Sequence, residues 1–127
     1  MNDSKIIFAD DNIDMRNLLM LTLSRSYTNI IAVDDGTEAL EILKENDDVV
    51  LILTDIEMPE MNGFDLTYNI RNKFNEPKRS IPIIAFTSYE TASADYYAKA
   101  GFNELLVKSH SATPILEIFN KYCDKNE

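Results

Sequence analysis

Five short apolar runs punctuate the chain, and each ends in polar residues. The first is 5–9, Lys5-Ile6-Ile7-Phe8-Ala9, stopped by Asp10-Asp11-Asn12. The second is 29–33. The third opens Val49-Val50-Leu51-Ile52-Leu53 and runs out at Thr54-Asp55. The fourth, 82–88, ends in Thr87-Ser88, and the fifth, 104–107, is followed by Lys108. Runs of this length, apolar throughout rather than alternating, suit strands buried on both faces of a parallel sheet. Between them the apolar period changes to that of a helix. Residues 13–26 carry Met15, Leu18, Leu19, Thr22 and Leu23, with Asn12 or Asp14 as cap. Residues 37–45 place Ala39, Leu40, Ile42 and Leu43 inward and Glu38 and Glu41 outward, after an Asp34-Asp35-Gly36 turn. A third helix is predicted over 64–74, with Phe64, Leu66 or Thr67, Ile70 and Phe74 as contacts, and 75–80 is a polar loop. The fourth, 91–100, is closed by Gly101 as a C′ glycine. The last starts near Ser111 or Thr113 and reaches about residue 124; Pro114 falls in its first turn, where a missing N–H is harmless.

Strict alternation of strand and helix predicts an α/β domain: a doubly wound, five-stranded parallel sheet with helices on both faces and right-handed crossovers. We read residues 1–127 as one domain. In the strand order 2-1-3-4-5, strands 1 and 3 lie side by side at the switch point, where open sheets bind ligands beyond their carboxyl ends. With strands ~4.8 Å apart, Asp10, Asp11, Asp55, Thr87, Ser88 and Lys108 then converge on one pocket. Three carboxylates so close cannot all stay ionised without a cation. An oxygen-only donor set suits Mg2+. A carboxylate beside such an ion can act as a nucleophile toward phosphorus. Mg2+, the Lys108 ammonium and the Thr87 hydroxyl are the groups available to neutralise the phosphoryl oxygens.

Charge narrows the partners. A net charge of −10 argues against direct nucleic-acid binding and against an anionic membrane surface. The first residues lack the features of a signal peptide, and no apolar run is long enough to span a bilayer. The single cysteine, Cys123, lies in the last periodic segment as a small packing residue. A cytoplasmic location follows as an expectation. No glycine-rich loop follows the first strand, which removes a flavin or nucleotide site.

The segments Ala9-Asp10-Asp11-Asn12, Leu53-Thr54-Asp55-Ile56-Glu57-Met58-Pro59-Glu60-Met61-Asn62-Gly63, Ala85-Phe86-Thr87-Ser88, Ala100-Gly101 and Lys108 together resemble the receiver domain of two-component response regulators. The chain is similar to single-domain chemotaxis-type regulators. The resemblance implies the flavodoxin-like fold and is the source of the 2-1-3-4-5 order. It implies Asp55 as phosphoacceptor, with Thr87 and Lys108 as phosphoryl ligands. It implies Mg2+ (or Mn2+) held by Asp11, Asp55 and the backbone carbonyl of Glu57, with Asp10 mostly through water. Small Ser88 stands where the family keeps space for the phosphoryl group. The implied function is a phosphorylation-dependent signalling switch that catalyses only its own aspartate chemistry. Its donor is a histidine kinase or phosphotransfer protein. Its effect falls on a downstream partner or output domain, with a possible homodimer through helix 4, strand 5 and helix 5. A phosphorylation-independent interaction module is the alternative. An aspartate-nucleophile phosphatase is disfavoured because Met58-Pro59 stands where such enzymes want Thr or Ser.

Two positions depart from the family. Proline usually follows the lysine, in a cis bond; here Ser109 follows, and a cis bond before a non-proline costs about 2.5–4 kcal/mol, so a trans bond is predicted. An aromatic residue usually stands three positions before the lysine; here it is Leu105. With the usual aromatic switch missing, Leu105 is expected in a fixed apolar patch, and Tyr89 is a candidate substitute.

Overall fold

A computed structural model describes residues 2–88 and 93–123. Its elements alternate as the apolar pattern predicts: β1 (Lys5–Ala9), α1 (Ile13–Leu23), β2 (Ile30–Val33), α2 (Gly36–Glu45), β3 (Val49–Asp55), α3 (Gly63–Lys73), β4 (Ile83–Thr87), α4 (Ala94–Lys99), β5 (Glu104–Val107) and α5 (Thr113–Cys123). All strand pairs are parallel, and the sheet order is β2-β1-β3-β4-β5.

Because strand side chains alternate between faces, each central strand feeds two cores. Ile6, Phe8, Leu51, Leu53, Ile84 and Phe86 pack with Leu19 and Leu23 of α1 and Ile115, Ile118 and Phe119 of α5. Ile7, Ala9, Ile52, Ile83 and Ala85 pack on the other side with Ala39 and Leu43 of α2, Leu66 and Ile70 of α3 and Tyr97 of α4. Leu51, Ile52 and Leu53 are fully buried. Each such side chain contributes about 1.5–3 kcal/mol relative to exposure, which ties the end of β3 rigidly to the sheet. Cys123 is buried among the α5 contacts, as its packing role predicts.

Helix starts follow local hydrogen-bond chemistry. Asn12, not Asp14, caps α1 by accepting from Met15 N at 3.0 Å. Asp35 caps α2 and Asn62 caps α3, which moves both starts one residue earlier than predicted, onto glycines. The α4 C-terminus closes as predicted on Gly101, whose φ of +109° is costly for a side chain bearing a Cβ. There the Gly101 and Phe102 amides donate to the Ala98 and Tyr97 carbonyls, a Schellman pair.

Several expectations need correction. Helix α1 ends at Leu23 rather than 26, because the Ser26 and Tyr27 amides both fold back onto the Leu23 carbonyl. Its inward line is half-buried Met15 followed by buried Leu19 and Leu23. Leu18 and Thr22 sit one residue back, roughly 100° around the helix, and are exposed, Leu18 to 43%. The 75–80 loop contains a turn of 3-10 helix at Lys78–Ser80. The fourth helix, predicted from Thr91, starts instead at Ala94, because extended Ser93 caps it by accepting from the Tyr96 amide at 3.4 Å; Thr91 itself, the predicted end of the last helix at Asp124 and the Tyr89 switch lie outside the described residues.

Candidate functional site

The carboxyl ends of β1, β3, β4 and β5 build one polar pocket. Asp10 extends β1 by donating its amide to the Val33 carbonyl at 3.1 Å, and its side chain is fully buried. Its Oδ1 accepts from the Asn12 amide at 3.0 Å, so the residue that caps α1 also shapes the acidic loop. Asp55 is the last residue of β3 and only 7% exposed. Its Oδ1 accepts from the Ile56 amide at 2.7 Å. Oxygens of Asp10, Asp11 and Asp55 all lie within 4.8 Å of one another. Thr87 is buried at the end of β4, one residue past the Phe86 that pairs with Asp55.

Lys108 comes from the far side of β4. Its amide donates to the Thr87 carbonyl at 2.7 Å, extending the ladder past β5. Its side chain then crosses β4, and Nζ lies 3.1 Å from both Asp10 Oδ2 and Asp55 Oδ2. The Lys108–Ser109 bond is trans, as serine in place of proline predicts. Ser109 Oγ instead accepts from the Ser111 amide at 3.3 Å, a local turn that leads into α5.

The loop after Asp55 is held from beneath. Gly63 N donates to the Ile56 carbonyl at 2.9 Å, and a Cβ on Gly63 would lie 2.5 Å from the Asp55 carbonyl oxygen. Only glycine lets α3 start this close to the Asp55 backbone. Between them Glu60 adopts φ +66°, with Met61 N donating to the Pro59 carbonyl at 2.7 Å, a strained three-residue turn. The turn projects Glu57 and Met58 onto the wall of an open cleft beside Asp11 and Phe64.

Charge in the pocket is unbalanced. Burial, and then the neighbouring Asp10 charge, push the Asp55 carboxyl up to about 6, against the pull of Lys108 and the Ile56 amide. Burial opposes the Lys108 charge, but Asp10 and Asp55 outweigh it and raise its pKa. Three carboxylates facing one ammonium leave the cluster two charges short of neutrality, which is the charge of a divalent cation. Asp10 Oδ2 is buried, and the Lys108 ammonium 3.1 Å away is shared with Asp55. Hard oxygen donors, a charge deficit of two and a single ammonium shared between two buried carboxylates together fit Mg2+ or Mn2+.

Of the residues predicted to form the site, Asp10, Asp11, Asp55 and Lys108 lie in direct proximity, Thr87 stands at the adjoining strand end with the exposed Ser88 just beyond it, and Glu57 lines the neighbouring wall. Sequence reasoning missed Arg16. From the second turn of α1 its Nη1 donates to the Asp10 carbonyl at 2.7 Å and the Val33 carbonyl at 3.0 Å, and pairs with Asp34. Its only sequence signal was a basic residue six positions after the first acid, indistinguishable from a solvated helix face. Phe86 was read as strand filler, yet its ring lies under the Lys108 ammonium.

Comparison with known proteins agrees with this geometry. A family model described as the response regulator receiver domain matches residues 6–120. The chemotaxis protein CheY1 of Helicobacter pylori is 40% identical over 109 residues, which is 82% of this chain and 84% of that protein. The chemotaxis protein CheY homolog of Campylobacter jejuni is 35% identical over 107 residues, 82% of this chain and 80% of that one. Among solved structures, the response regulator protein TrrA of Thermotoga maritima, in complex with Mg2+-BeF, is similar with a TM-score of 0.78 and 30% identity, covering 94% of this chain and 98% of that chain.

Proposed function

Because the chain belongs to the response regulator receiver domain family, we propose that it switches signalling state when Asp55 accepts a phosphoryl group from a histidine kinase or phosphotransfer protein. One observation carries the assignment. Asp55 ends β3 nearly buried, with one oxygen fixed by the Ile56 amide and the other 3.1 Å from Lys108. The fixed oxygen sets the plane of the carboxylate. Oδ2 attacks phosphorus, an oxygen–phosphorus bond forms, and the bond from phosphorus to the donor nitrogen breaks with its electron pair leaving on the donor. Lys108 then exchanges one carboxylate partner for phosphoryl oxygen, and Thr87 supplies the second ligand. Asp11, Asp55 and the Glu57 carbonyl, with Asp10 beside them, would hold a magnesium or manganese ion, which would supply positive charge to the phosphoryl oxygens. The Mg2+-BeF complex of the Thermotoga relative supports that choice of ion.

Residues 1–127 act as one receiver domain in this reading, in the cytoplasm and without turnover of an external substrate. No helix among the described residues is long and apolar enough to cross a membrane. The output surface is the α4–β5–α5 face, engaged by a downstream protein, an output domain or a second copy of the chain. Leu105 is half-buried there against the α2–α4 core, and Val107 is exposed. A fixed Leu105 suits a constant contact patch better than a swinging reporter.

Incubation with acetyl phosphate and Mg2+, followed by mass spectrometry, tests the assignment. The wild type is expected to gain one phosphoryl group on Asp55, and Asp55→Asn to gain none. Undiminished phosphorylation of Asp55→Asn would overturn it, and a wild type inert with Mg2+ would favour a phosphorylation-independent module.

A further inference from the structure

We propose that Phe86 is a positioning residue for the phosphorylation chemistry, holding the Lys108 ammonium over the site through the face of its ring; this rests on the assignment of Asp55 and Lys108 above. Lys108 is the one member of the pocket that reaches it across a neighbouring strand. Its backbone is pinned at Thr87, its side chain is 11% exposed, and its Nζ lies 5.5 Å from the Phe86 ring centroid. That is within the ~6 Å over which a ring quadrupole attracts an ammonium, and desolvation puts the contact at the strong end of its range. The ring cannot turn away. Phe86 is 2% exposed, and the fully buried Phe8 meets it edge-on at 6.1 Å and 65°.

The geometry divides the work. Asp10 and Asp55 hold Lys108 by directional ion pairs, and one of these must be surrendered when Asp55 becomes an acyl phosphate. The ring's attraction points at no particular oxygen. It keeps the ammonium at depth while the N–H donors swing from the Asp55 carboxylate to the new phosphoryl oxygens. An aliphatic side chain at position 86 would fill similar space and seal the same core, but it would leave Lys108 held by carboxylates alone during that exchange.

The test separates ring electrostatics from ring size. Mono-, di- and trifluorinated phenylalanine placed at position 86 keep nearly the same volume while draining the ring face of charge. The rate constant for Asp55 labelling by acetyl phosphate, and the affinity for beryllofluoride with Mg2+, are expected to fall stepwise along the series. Phe86→Leu is expected to lower both by about tenfold, the equivalent of ~1.4 kcal/mol. In a Lys108→Met background the same substitution is expected to change them by less than about twofold, since no ammonium remains for the ring to hold. A flat fluorination series, or an equal loss from Phe86→Leu with and without Lys108, would overturn the proposal and leave the Asp55 assignment standing. Urea unfolding of wild type, Phe86→Leu, Lys108→Met and the double variant adds a readout that needs no phosphorylation: the proposal requires non-additive stabilities, and additive ones refute it. If wild type is not labelled at Asp55, the assignment of the switch falls, and this cycle still decides the ring–ammonium contact.

Discussion

Neutralising Asp55 should stabilise the metal-free protein, although it destroys the proposed function. Burial, and then the Asp10 charge, push the Asp55 carboxyl of the folded chain up to about 6 from its ordinary 3.8, outweighing the pull of Lys108. Between those two values the folded state holds a proton that the unfolded state has released. Stability therefore falls as pH rises through the window, and the loss is complete above about pH 7. A gap of about two pH units corresponds to ~3 kcal/mol at most. Asp55→Asn keeps the shape and removes the charge, so in chelator at pH 7.5 the variant should be more stable by about 2–3 kcal/mol. At a urea slope of ~2 kcal/mol per molar, the midpoint moves up by about 1–1.5 M. At pH 4.5 wild-type Asp55 is mostly protonated when folded, and the advantage shrinks to ~1 kcal/mol. Acid-sensitive groups outside the pocket are common to both proteins and cancel in the difference. Saturating Mg2+ should also narrow the gap, because it binds the wild-type carboxylates. A variant no more stable than wild type at pH 7.5, or an advantage that does not change with pH, would refute the account of an under-neutralised site.

Mg2+ should raise the wild-type melting temperature, with a stabilisation of ~3 kcal/mol at about 100 times its Kd, and Asp11→Ala should need far more Mg2+ for the same shift; a scan without any shift at millimolar Mg2+ would count against the acidic cluster as a cation site. Gly63→Ala forces a Cβ to within 2.5 Å of the Asp55 carbonyl oxygen and should cost about 1–3 kcal/mol in urea unfolding while slowing Asp55 labelling. Thr67→Val should instead stabilise by ~1 kcal/mol, because the buried Thr67 Oγ1 meets no hydrogen-bond partner among the described residues; a loss of stability would reveal a partner for that hydroxyl. Arg16→Met removes donors to the Asp10 and Val33 carbonyls and the pair with Asp34, so it should lower stability by about 1–3 kcal/mol and weaken Mg2+ binding measured by calorimetry.

The sequence by itself determined the class of fold and which polar side chains stand at the strand ends. Five apolar runs cannot be satisfied except by burial on both faces, and helical periodicity between them leaves a doubly wound parallel sheet as the solution. Four of the five runs end in chemistry-bearing side chains, so Asp10, Asp11, Asp55, Thr87 and Lys108 are legible in the sequence as strand-end residues. The strand order was legible only through the resemblance, since alternation alone does not say which strands are neighbours. What tertiary structure decided was everything that depends on a partner distant in the chain. Leu18 and Leu23 are both leucines on one periodic segment, yet only Leu23 meets the sheet. Gly36 and Gly63 looked like turn residues, but each begins a helix, and each hydrogen-bonds to the loop that follows Asp55. Arg16 became a clamp because β2 brings the Val33 carbonyl and Asp34 to it. Phe86 became a neighbour of Lys108 because the lysine must cross β4 to reach the acids. Periodicity records which face of an element avoids water; it carries no information about which side chain from another element arrives at that face, and the electrostatics of this site are set by those arrivals.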